Sequence, residues 1–425
     1  MNIEEHFFRH EFGRIVATLT RLFGVSNFAL AEDVAQDAFC RAMETWKLRG
    51  WPKNPSAWLM ATARNRALDI LRRERTARMA EPALARFLES EWTRASTVEE
   101  VFSTHMVRDS QLRMMFSCCD PHLSEEAQIA LILHILCGFS VKEIAQAFVS
   151  SHAAVEKRIT RARKTLAASR KLFDLADVDF SSRLSSVLQA LYLLFNEGYH
   201  GSSPKAAVRM ELCQEAIRLI NLLIEQKTLV TPSSYALAAL MYFNAARLQT
   251  RLDGSGNLVS FFEQDRSLWN HQLIEEGQAL LNLSAAGTAV TKYHIEAAIA
   301  CTHANAARSE DTDWQQIVLL YDMLLSVQPS PVIALNRAIA IAQLDGPERG
   351  LQEIGAIHDL HRLSIYPFYP ATLGELECRR GNYLVAKMHF TQALLLARNP
   401  MECSFLQRRI ASCVEASTFH TPVNS

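Results

Sequence analysis

The spacing of apolar residues restricts the fold of this 425-residue chain more than any other feature of its sequence. Apolar side chains recur every three or four positions, and no stretch sustains the alternation of apolar and polar residues that is typical of a β-strand. We therefore predict an all-α protein. With 49% hydrophobic and 21% charged residues, the composition is that of a globular protein of two or three domains, and it excludes a wholly disordered or collagenous chain.

Charge is distributed unevenly along the chain, although the net charge is only −1. The part that ends at Phe173 has 25 basic and 20 acidic residues, whereas the rest has 19 and 25. Six arginines lie between Arg64 and Arg78, and residues 152–171 contain seven basic side chains and one acid. This asymmetry indicates a nucleic-acid-binding half joined to an acidic half.

Cysteine usage and the N-terminal sequence favour a cytoplasmic protein. The nine cysteines form no framework, and the first residues lack the basic, apolar and small-residue succession of a signal peptide. The most apolar run, 127–139, is too short to cross a bilayer, so we expect no membrane segment. The sequence CCDPH at 118–122 does not have the spacing of a tetrahedral zinc site. We interpret it as a structural turn and expect no metal.

The second basic cluster has the pattern of a helix-turn-helix. Ser140 and Glu143 are spaced as a capping box, which predicts a short helix from Val141 to about residue 148. Ser151 is a candidate cap for a longer helix over 152–168.

The longer helix is predicted to have an apolar face and a basic face. The residues of the apolar face are Val155, Ile159, Ala162 and Leu166. Lys157, Arg161 and Lys164 fall on the opposite side. Such a helix can read the major groove of DNA, or it can be a solvated basic helix in a bundle.

Two earlier helices carry polar faces of different character. The helix over 27–46 exposes an acidic face, which suits a basic protein partner and not phosphate. The helix that includes Trp58 carries polar and basic side chains at helical spacing, which can contact base edges or phosphates. The ring of Trp58 can stack on an unpaired base, or it can belong to the core.

Three segments in this order resemble conserved regions 2 and 4 of bacterial RNA polymerase sigma factors of the extracytoplasmic-function (ECF) class. They are AEDVAQDAF at 31–39, NPSAWLMATARNRALDILRRE at 54–74 and FSVKEIAQAFVSSHAAVEKRITRARKTL at 139–166. The resemblance implies a protein that binds core RNA polymerase, at the β′ clamp helices and the β flap, and that recognises and melts promoter DNA. It implies no catalytic residue and no cofactor. The implied domains are region 2 at 1–78, a linker at 79–122 and region 4 at 123–173.

The resemblance also assigns residues to each contact. The residues assigned to polymerase binding are Asp33, Gln36, Asp37 and Phe39. The residues assigned to the minus-ten promoter element are Trp58, Asn65, Asp69, Arg72 and Arg73. The residues assigned to the minus-thirty-five element are His152, Ala153, Lys157, Arg158 and Arg161.

The rest of the chain resembles the C-terminal extension of one ECF subgroup. The similar segments are FNEGY at 195–199, EQDRSLWN at 263–270, TDW at 312–314 and PSPVIALNRA at 329–338. This resemblance implies a tetratricopeptide-like domain at 181–425. Independently, five residues have the spacing of one tetratricopeptide repeat of about 34 residues, namely Leu373, Gly374, Ala386, Phe390 and Ala393.

Polar and aromatic residues in these motifs are candidates for a regulatory groove. They are Asn196, Glu197, Tyr199, Gln264, Asp265, Arg266, Trp269, Asp313, Trp314, Asn336 and Arg337. The same residues could instead supply hydrogen bonds between helices and helix caps, and both interpretations stay open. The groove interpretation predicts a built-in regulator with a protein or a small molecule as its ligand.

A non-sigma helix-turn-helix regulator with a helical sensor domain is the alternative function. It would need neither the acidic face over 33–39 nor the stripe over 58–73. An enzyme is not expected, because the sequence has no phosphate loop, nucleophile elbow or HExxH motif.

Overall fold

The computed structural model describes residues 3–24, 27–77, 104–147, 150–168, 177–200 and 208–419. These ranges contain eighteen α-helices and no β-strand, which confirms the prediction of an all-α protein. The chain divides into two compact units, Met1–Leu194 and Phe195–Ser425. None of the helices in the described ranges combines the length and apolarity needed to cross a lipid bilayer.

The N-terminal unit contains seven complete helices and most of an eighth within the described ranges. They are α1 (Ile3–Phe23), α2 (Phe28–Arg49), α3 (Pro55–Ala77), α4 (Thr104–Cys118), α5 (Glu125–Leu131), α6 (Val141–Ala147), α7 (His152–Ala168) and α8 (Asp177–Tyr199). A π-helical turn, Ile132–Leu136, continues α5, and the amide of Cys137 donates to the carbonyl of Ile132. The boundary between the two units falls inside α8.

Helix α1 joins two groups of helices into one core. It packs on α2 and α3 on one side and on α4 and the π-helical turn on the other. A Cβ atom at Gly13 would lie only 2.1 Å from the carbonyl oxygen of Leu136. Because only a glycine allows so close an approach, α1 and the π-helical turn are in direct backbone contact.

Two helix caps that were predicted from the sequence, at Ser140 and Ser151, are confirmed in this unit, and Ser124 forms a further cap. The Ser124 hydroxyl accepts a hydrogen bond from the amide of Ala127 at the start of α5. Ser140 and Glu143 form the predicted capping box, since the carboxylate of Glu143 accepts from the Ser140 amide at 2.8 Å. The Ser151 hydroxyl accepts from the amide of Ala154 in the first turn of α7.

The segment interpreted as a linker, 79–122, contains helix α4. Its apolar side chains from Leu112 to Cys118 are buried, and so are the polar side chains of Ser110, Gln111 and Ser117. Polar residues on a buried face interrupt the apolar periodicity, and for that reason the sequence pattern did not predict this helix.

The predicted start of the C-terminal domain, at residue 181, falls inside the packing of the N-terminal unit. The ring of Phe180 contacts that of Phe116 at a centroid distance of 4.9 Å. Arg183 donates to the carboxylate of Asp120 at 3.0 Å and to the carbonyl oxygen of Phe116 at 3.2 Å. The first half of α8 therefore belongs to the N-terminal unit.

The C-terminal unit consists of consecutive helices, each packed on its neighbours. They are α9 (Met210–Ile224), α10 (Pro232–Ala246), α11 (His271–Ser284), α12 (Lys292–Asn305), α13 (Trp314–Val327), α14 (Pro331–Leu344), α15 (Pro347–Gly355), α16 (Phe368–Arg379), α17 (Tyr383–Leu396) and α18 (Pro400–Phe419). Helix α10 is apolar on all sides and lies between α9, α11 and α12. Separate core clusters lie between α12, α13 and α14, between α14, α15 and α16, and between α16, α17 and α18.

Replacing Gly350 by alanine is expected to destabilise the protein. A Cβ atom at this position of α15 would lie 2.4 Å from the Cβ of Ala342 in α14, so the two helices would have to separate. Overpacking of this kind costs about 1–3 kcal/mol of the free energy of unfolding, measured by urea denaturation. Gly355→Ala in the same helix is the matched control, since no atom lies within 4 Å of its added Cβ. Equal effects of the two substitutions would contradict this account.

Candidate polymerase and nucleic-acid interfaces

Helix α7 has the two faces that its sequence predicts. Val155, Ile159, Ala162 and Leu166 are each at most 5% exposed. Lys157, Arg161 and Lys164 are exposed on the other side. The basic face is therefore free to meet a large ligand such as a DNA groove.

The five residues assigned to the minus-thirty-five element all lie in the first ten residues of α7. His152, Ala153, Lys157 and Arg161 are exposed, whereas Arg158 is half-buried. His152 lies 3.8 Å from the carboxylate of Glu156 one turn later. Base contacts from this end of a recognition helix are typical of helix-turn-helix proteins.

The assigned residues of α3 divide into an exposed group and a packed tryptophan. Asn65, Asp69, Arg72 and Arg73 are exposed on one side of the helix. Trp58 is half-buried, and its ring meets that of Trp46 edge to face at 5.4 Å. The ring therefore contributes to the core of the unit, as one of the two interpretations of this residue predicts.

An aromatic cluster around Trp46 was not predicted from the sequence. Trp51 lies 4.8 Å from Trp46 and has 47% of its surface exposed, more than any other ring described in this cluster. Phe7 and Phe8 pack on the same two tryptophans. Trp51 is thus an additional candidate for stacking on an unpaired base.

Three of the four residues assigned to polymerase binding share the exposed face of α2. Asp33, Gln36 and Asp37 are exposed, and Asp37 accepts from Arg66 of α3 at 3.2 Å. Phe39 is half-buried, with its ring 5.4 Å from that of Phe8. The acidic face is therefore available to a partner, whereas Phe39 packs mainly against α1.

Helix α2 also has a buried acid, Glu32, which contacts the helix-turn-helix. Its carboxylate oxygen accepts from Arg163 of α7 at 2.6 Å and lies 3.4 Å from Nε2 of His134. Arg163 also stacks over the ring of Phe28 at 5.4 Å. Glu32 is only 5% exposed, so this contact links the predicted polymerase-binding helix to the predicted DNA-binding helix.

The sequence around Cys118 and Cys119 forms a turn held by Asp120. Burial alone raises the pKa of Asp120, but hydrogen bonds from His122 and the charge of Arg183 bring it below its ordinary value. Burial raises the pKa of the Cys119 thiol to about 12, so it stays protonated at neutral pH. Within the described residues, no three His, Cys, Asp or Glu side chains are grouped so that they could hold a metal ion.

Several of the candidate groove residues in the C-terminal unit have structural partners. Asp313 caps α13 by accepting from the amide of Gln316, and Asp265 accepts from the amide of Ser267. Arg337 donates to Asp322 and to Glu353. The buried side chain of Gln264 accepts from Thr250, and Asn336 is exposed. At Asp265, Asp313 and Arg337 these contacts favour the interpretation as caps and links between helices.

Four other candidates meet in an arginine–aromatic cluster, which we define as Tyr199, Arg247, Arg251, Phe261, Arg266, Trp269, His303 and Trp314. The guanidinium carbon of Arg247 lies 4.1 Å from the ring centre of Phe261 and 5.6 Å from that of Tyr199. The guanidinium carbon of Arg251 lies 4.1 Å from the centre of the same Tyr199 ring. Arg266 lies 5.1 Å from the ring of Trp269 and donates to the carbonyl oxygens of His303 and Ala306.

Burial and the charges of the arginines lower the pKa of two groups in this cluster. Burial lowers the pKa of Arg247 to about 10, assisted by the charges of Arg251 and Arg266 and opposed by Tyr199. Burial, followed by the charges of Arg247 and Arg266, lowers the pKa of His303 to about 3. At neutral pH His303 is therefore neutral and Arg247 remains charged.

The neutral His303 predicts that acid weakens the fold. Below the ordinary histidine pKa of 6.5 the unfolded chain binds a proton that the folded protein does not. This stability is complete above pH 6.5 and is lost as the pH falls towards 3, by up to about 2 kcal/mol between pH 7 and pH 5. Urea denaturation at both pH values should show a smaller loss in His303→Gln than in the unchanged protein. The exposed His361→Gln is the control, and an unchanged loss in His303→Gln would contradict the assignment.

Arg247, Arg251, Phe261 and His303 were missed in the sequence. Arg247 directly follows the last residue of α10, which is apolar on all sides, and Arg251 lies four residues further on, at the end of the short 3-10 helix Leu248–Arg251. A helix without a polar face is buried, so basic residues at its end are brought under the surface with it. That signal could have identified the pair. Nothing local in the sequence predicts that Phe261 and His303 meet at 4.8 Å.

Comparisons with known proteins agree with this arrangement. A family model described as Sigma-70 region 2 matches residues 7–77, and one described as Sigma-70, region 4 matches residues 113–166. A family of unknown function (DUF6596) matches residues 183–285, which include six of the eight residues of the arginine–aromatic cluster and part of α8. An uncharacterized protein of Rhizobium meliloti (strain 1021) is 38% identical over 387 residues, which cover 90% of this chain and 90% of that protein. No solved structure matches.

Proposed function

We propose that this chain is a promoter-specific initiation factor and that its own C-terminal unit controls it. The premise is that the chain belongs to one family with the Rhizobium protein and to the sigma factors of ECF-like type. The sigma-70 regions imply binding to core RNA polymerase and to promoter DNA. The observation that carries the proposal is the N-terminal unit itself. It combines an exposed acidic face on α2 with an exposed basic face on α7, in one core.

The division of labour follows from charge. The exposed acids of α2 would meet basic side chains of the polymerase, at the β′ clamp helices, whereas phosphates would repel them. The exposed lysine and arginine of α7, Lys157 and Arg161, would contact base edges and phosphates of the minus-thirty-five element. Region 4 would also contact the β flap.

Melting at the minus-ten element would fall to α3 and its surroundings. Unstacking a base costs a few kcal/mol, and stacking on an aromatic ring with hydrogen bonds to the base returns a similar amount. Asn65, Arg72 and Arg73 have the exposure that this role needs, and Trp51 offers the exposed ring. No step requires a catalytic residue or a cofactor. The protein would act in the cytoplasm, where the polymerase is.

The C-terminal unit would regulate these modules in place of a separate inhibitor. Its last helices support a tetratricopeptide-like architecture, because a Cβ atom at Gly374 would lie 2.9 Å from the ring of Phe390, as tightly packed repeat helices require. Ala386, Phe390 and Ala393 are buried together with Leu406 of α18. A stack of this kind presents a surface for a ligand.

Transcription in vitro tests the proposal. Purified core polymerase and the full chain should produce transcripts with defined start sites that core polymerase alone does not produce. A simple helix-turn-helix regulator would bind DNA without forming a holoenzyme, so failure to bind core polymerase would favour that alternative. Control by the C-terminal unit is tested by a chain that ends at Leu194, the boundary of the units. Unchanged promoter activity and unchanged response in that chain would refute control.

A further inference from the structure

The arginine–aromatic cluster has more buried donors than acceptors. Besides Nδ1 of His303, five polar atoms of the cluster are buried without a hydrogen-bond partner: Nε of Arg247, Nε of Arg251, Nη2 of Arg266, Nε1 of Trp269 and the Tyr199 hydroxyl. Tyr199, Arg251, Arg266 and Trp269 are each at most 9% exposed. Because most buried donors in proteins are paired, five in one cluster indicate that an acceptor from outside the described residues belongs there.

The positive charge of the cluster also lacks a counter-charge. Among the described residues, no carboxylate forms an ion pair with Arg247, Arg251 or Arg266. The positive charge of Arg266 is the most nearly compensated of the three, because the charges of Glu310 and Asp311 act on it and two backbone carbonyls accept its hydrogen bonds. The guanidinium groups of Arg247 and Arg251 lie over aromatic faces. Buried charges are normally paired, since moving a charge out of water without giving it a partner costs free energy.

The aromatic rings hold the guanidinium groups by their faces. Arg247 is 4.1 Å from the ring centre of Phe261, and Arg251 is 4.1 Å from that of Tyr199. Stacking of this kind covers the flat face of the guanidinium. Its N–H groups point outward in the plane and remain available to a hydrogen-bonded ligand. The geometry thus fixes the cations while their donors stay unused.

We propose that the arginine–aromatic cluster is a binding site for a phosphate group, free or carried by a small molecule. The five donors, from three arginines, an indole and a phenol, exceed the about four lone pairs that the two oxygens of a carboxylate offer, whereas a phosphate has three or four oxygens. The inference does not depend on control of transcription by the C-terminal unit, because binding is measured directly. If control also holds, the phosphate group would be part of the signal.

The test measures binding of inorganic phosphate and of glycerol phosphate to the full chain by calorimetry and by thermal unfolding, at constant ionic strength in chloride. At ten times the dissociation constant, phosphate should raise the unfolding temperature by about 3 °C or more. Tighter binding of glycerol phosphate would identify a phosphorylated small molecule as the source of the group, and equal binding would identify free phosphate. No shift beyond that in chloride, with both compounds, would overturn the proposal.

Substitutions locate the site. Arg251→Gln should weaken phosphate binding at least tenfold, whereas the exposed Arg349→Gln should leave it unchanged. Tyr199→Phe and Trp269→Phe keep an aromatic ring and remove one donor each, so they serve if Arg251→Gln does not fold, and each should weaken binding severalfold. Phosphate binding that survives all three substitutions at full strength would place the ligand elsewhere and refute the assignment.

Discussion

Transcription from the cognate promoter is expected to fall at least about 100-fold when Lys157 and Arg161 are both replaced by glutamate. Both side chains are exposed on the face of α7 opposite its buried stripe, so the fold should not change. Each good base contact is worth about 1–3 kcal/mol, and each reversed charge adds repulsion from the phosphates. In vitro transcription with purified core polymerase measures the loss.

Binding to core polymerase distinguishes this effect from misfolding. The double variant should bind core polymerase as tightly as the unchanged chain, because polymerase binding is assigned mainly to α2. Lys387→Glu, an exposed charge reversal on α17, is the matched control and should transcribe normally. Loss of core binding in the double variant would contradict the proposed division between the two faces.

Affinity for core polymerase is expected to fall about 100-fold when Asp33 and Asp37 are both replaced by arginine. A factor of 100 corresponds to about 3 kcal/mol, a usual cost for reversing charges at an interface. The ion pair between Asp37 and Arg66 lies at the surface, so its loss should cost no more than about 1 kcal/mol of stability. Titration of labelled core polymerase gives the dissociation constant.

The control for this variant must change charge without touching the acidic face of α2. Glu275→Arg does so, since Glu275 is exposed on α11 of the C-terminal unit. Both Asp33→Arg/Asp37→Arg and Glu275→Arg should bind a DNA duplex that carries only the minus-thirty-five element as tightly as the unchanged chain does. If Asp33→Arg/Asp37→Arg bound core polymerase normally, the exposed acids of α2 would not be the polymerase contact.

Periodicity and capping patterns predict much of the N-terminal unit because they act locally. The capping box at Ser140 and the buried stripe at Val155 depend on residues within a few turns of one another. Helix α4 was missed because its buried face includes Gln111. The pairing of Glu32 with Arg163 could not be predicted, since it joins residues 131 positions apart on helices that both look amphipathic.

The candidate site of the C-terminal unit could likewise be predicted only in part from the sequence. The motif residues Tyr199, Arg266 and Trp269 are recognisable in the sequence, and they do meet in one cluster. Their central neighbour, Arg247, lies in no motif and gains its position only when α10 is buried. Residues such as Asp313 have the same polar character and turn out to be caps. Burial, which arises from the whole fold, separates the two groups.

The π-helical turn Ile132–Leu136 determines the rotational phase of the chain beyond it. A π turn takes one residue more than an α turn, and each residue of a helix corresponds to about 100° of rotation. Deleting one residue here would restore α-helical spacing and turn the carbonyl of Leu136 away from Gly13. Insertions and deletions in this turn would therefore change the direction of the helix pair that ends in α7, and would do so more than they would leave cavities in the core.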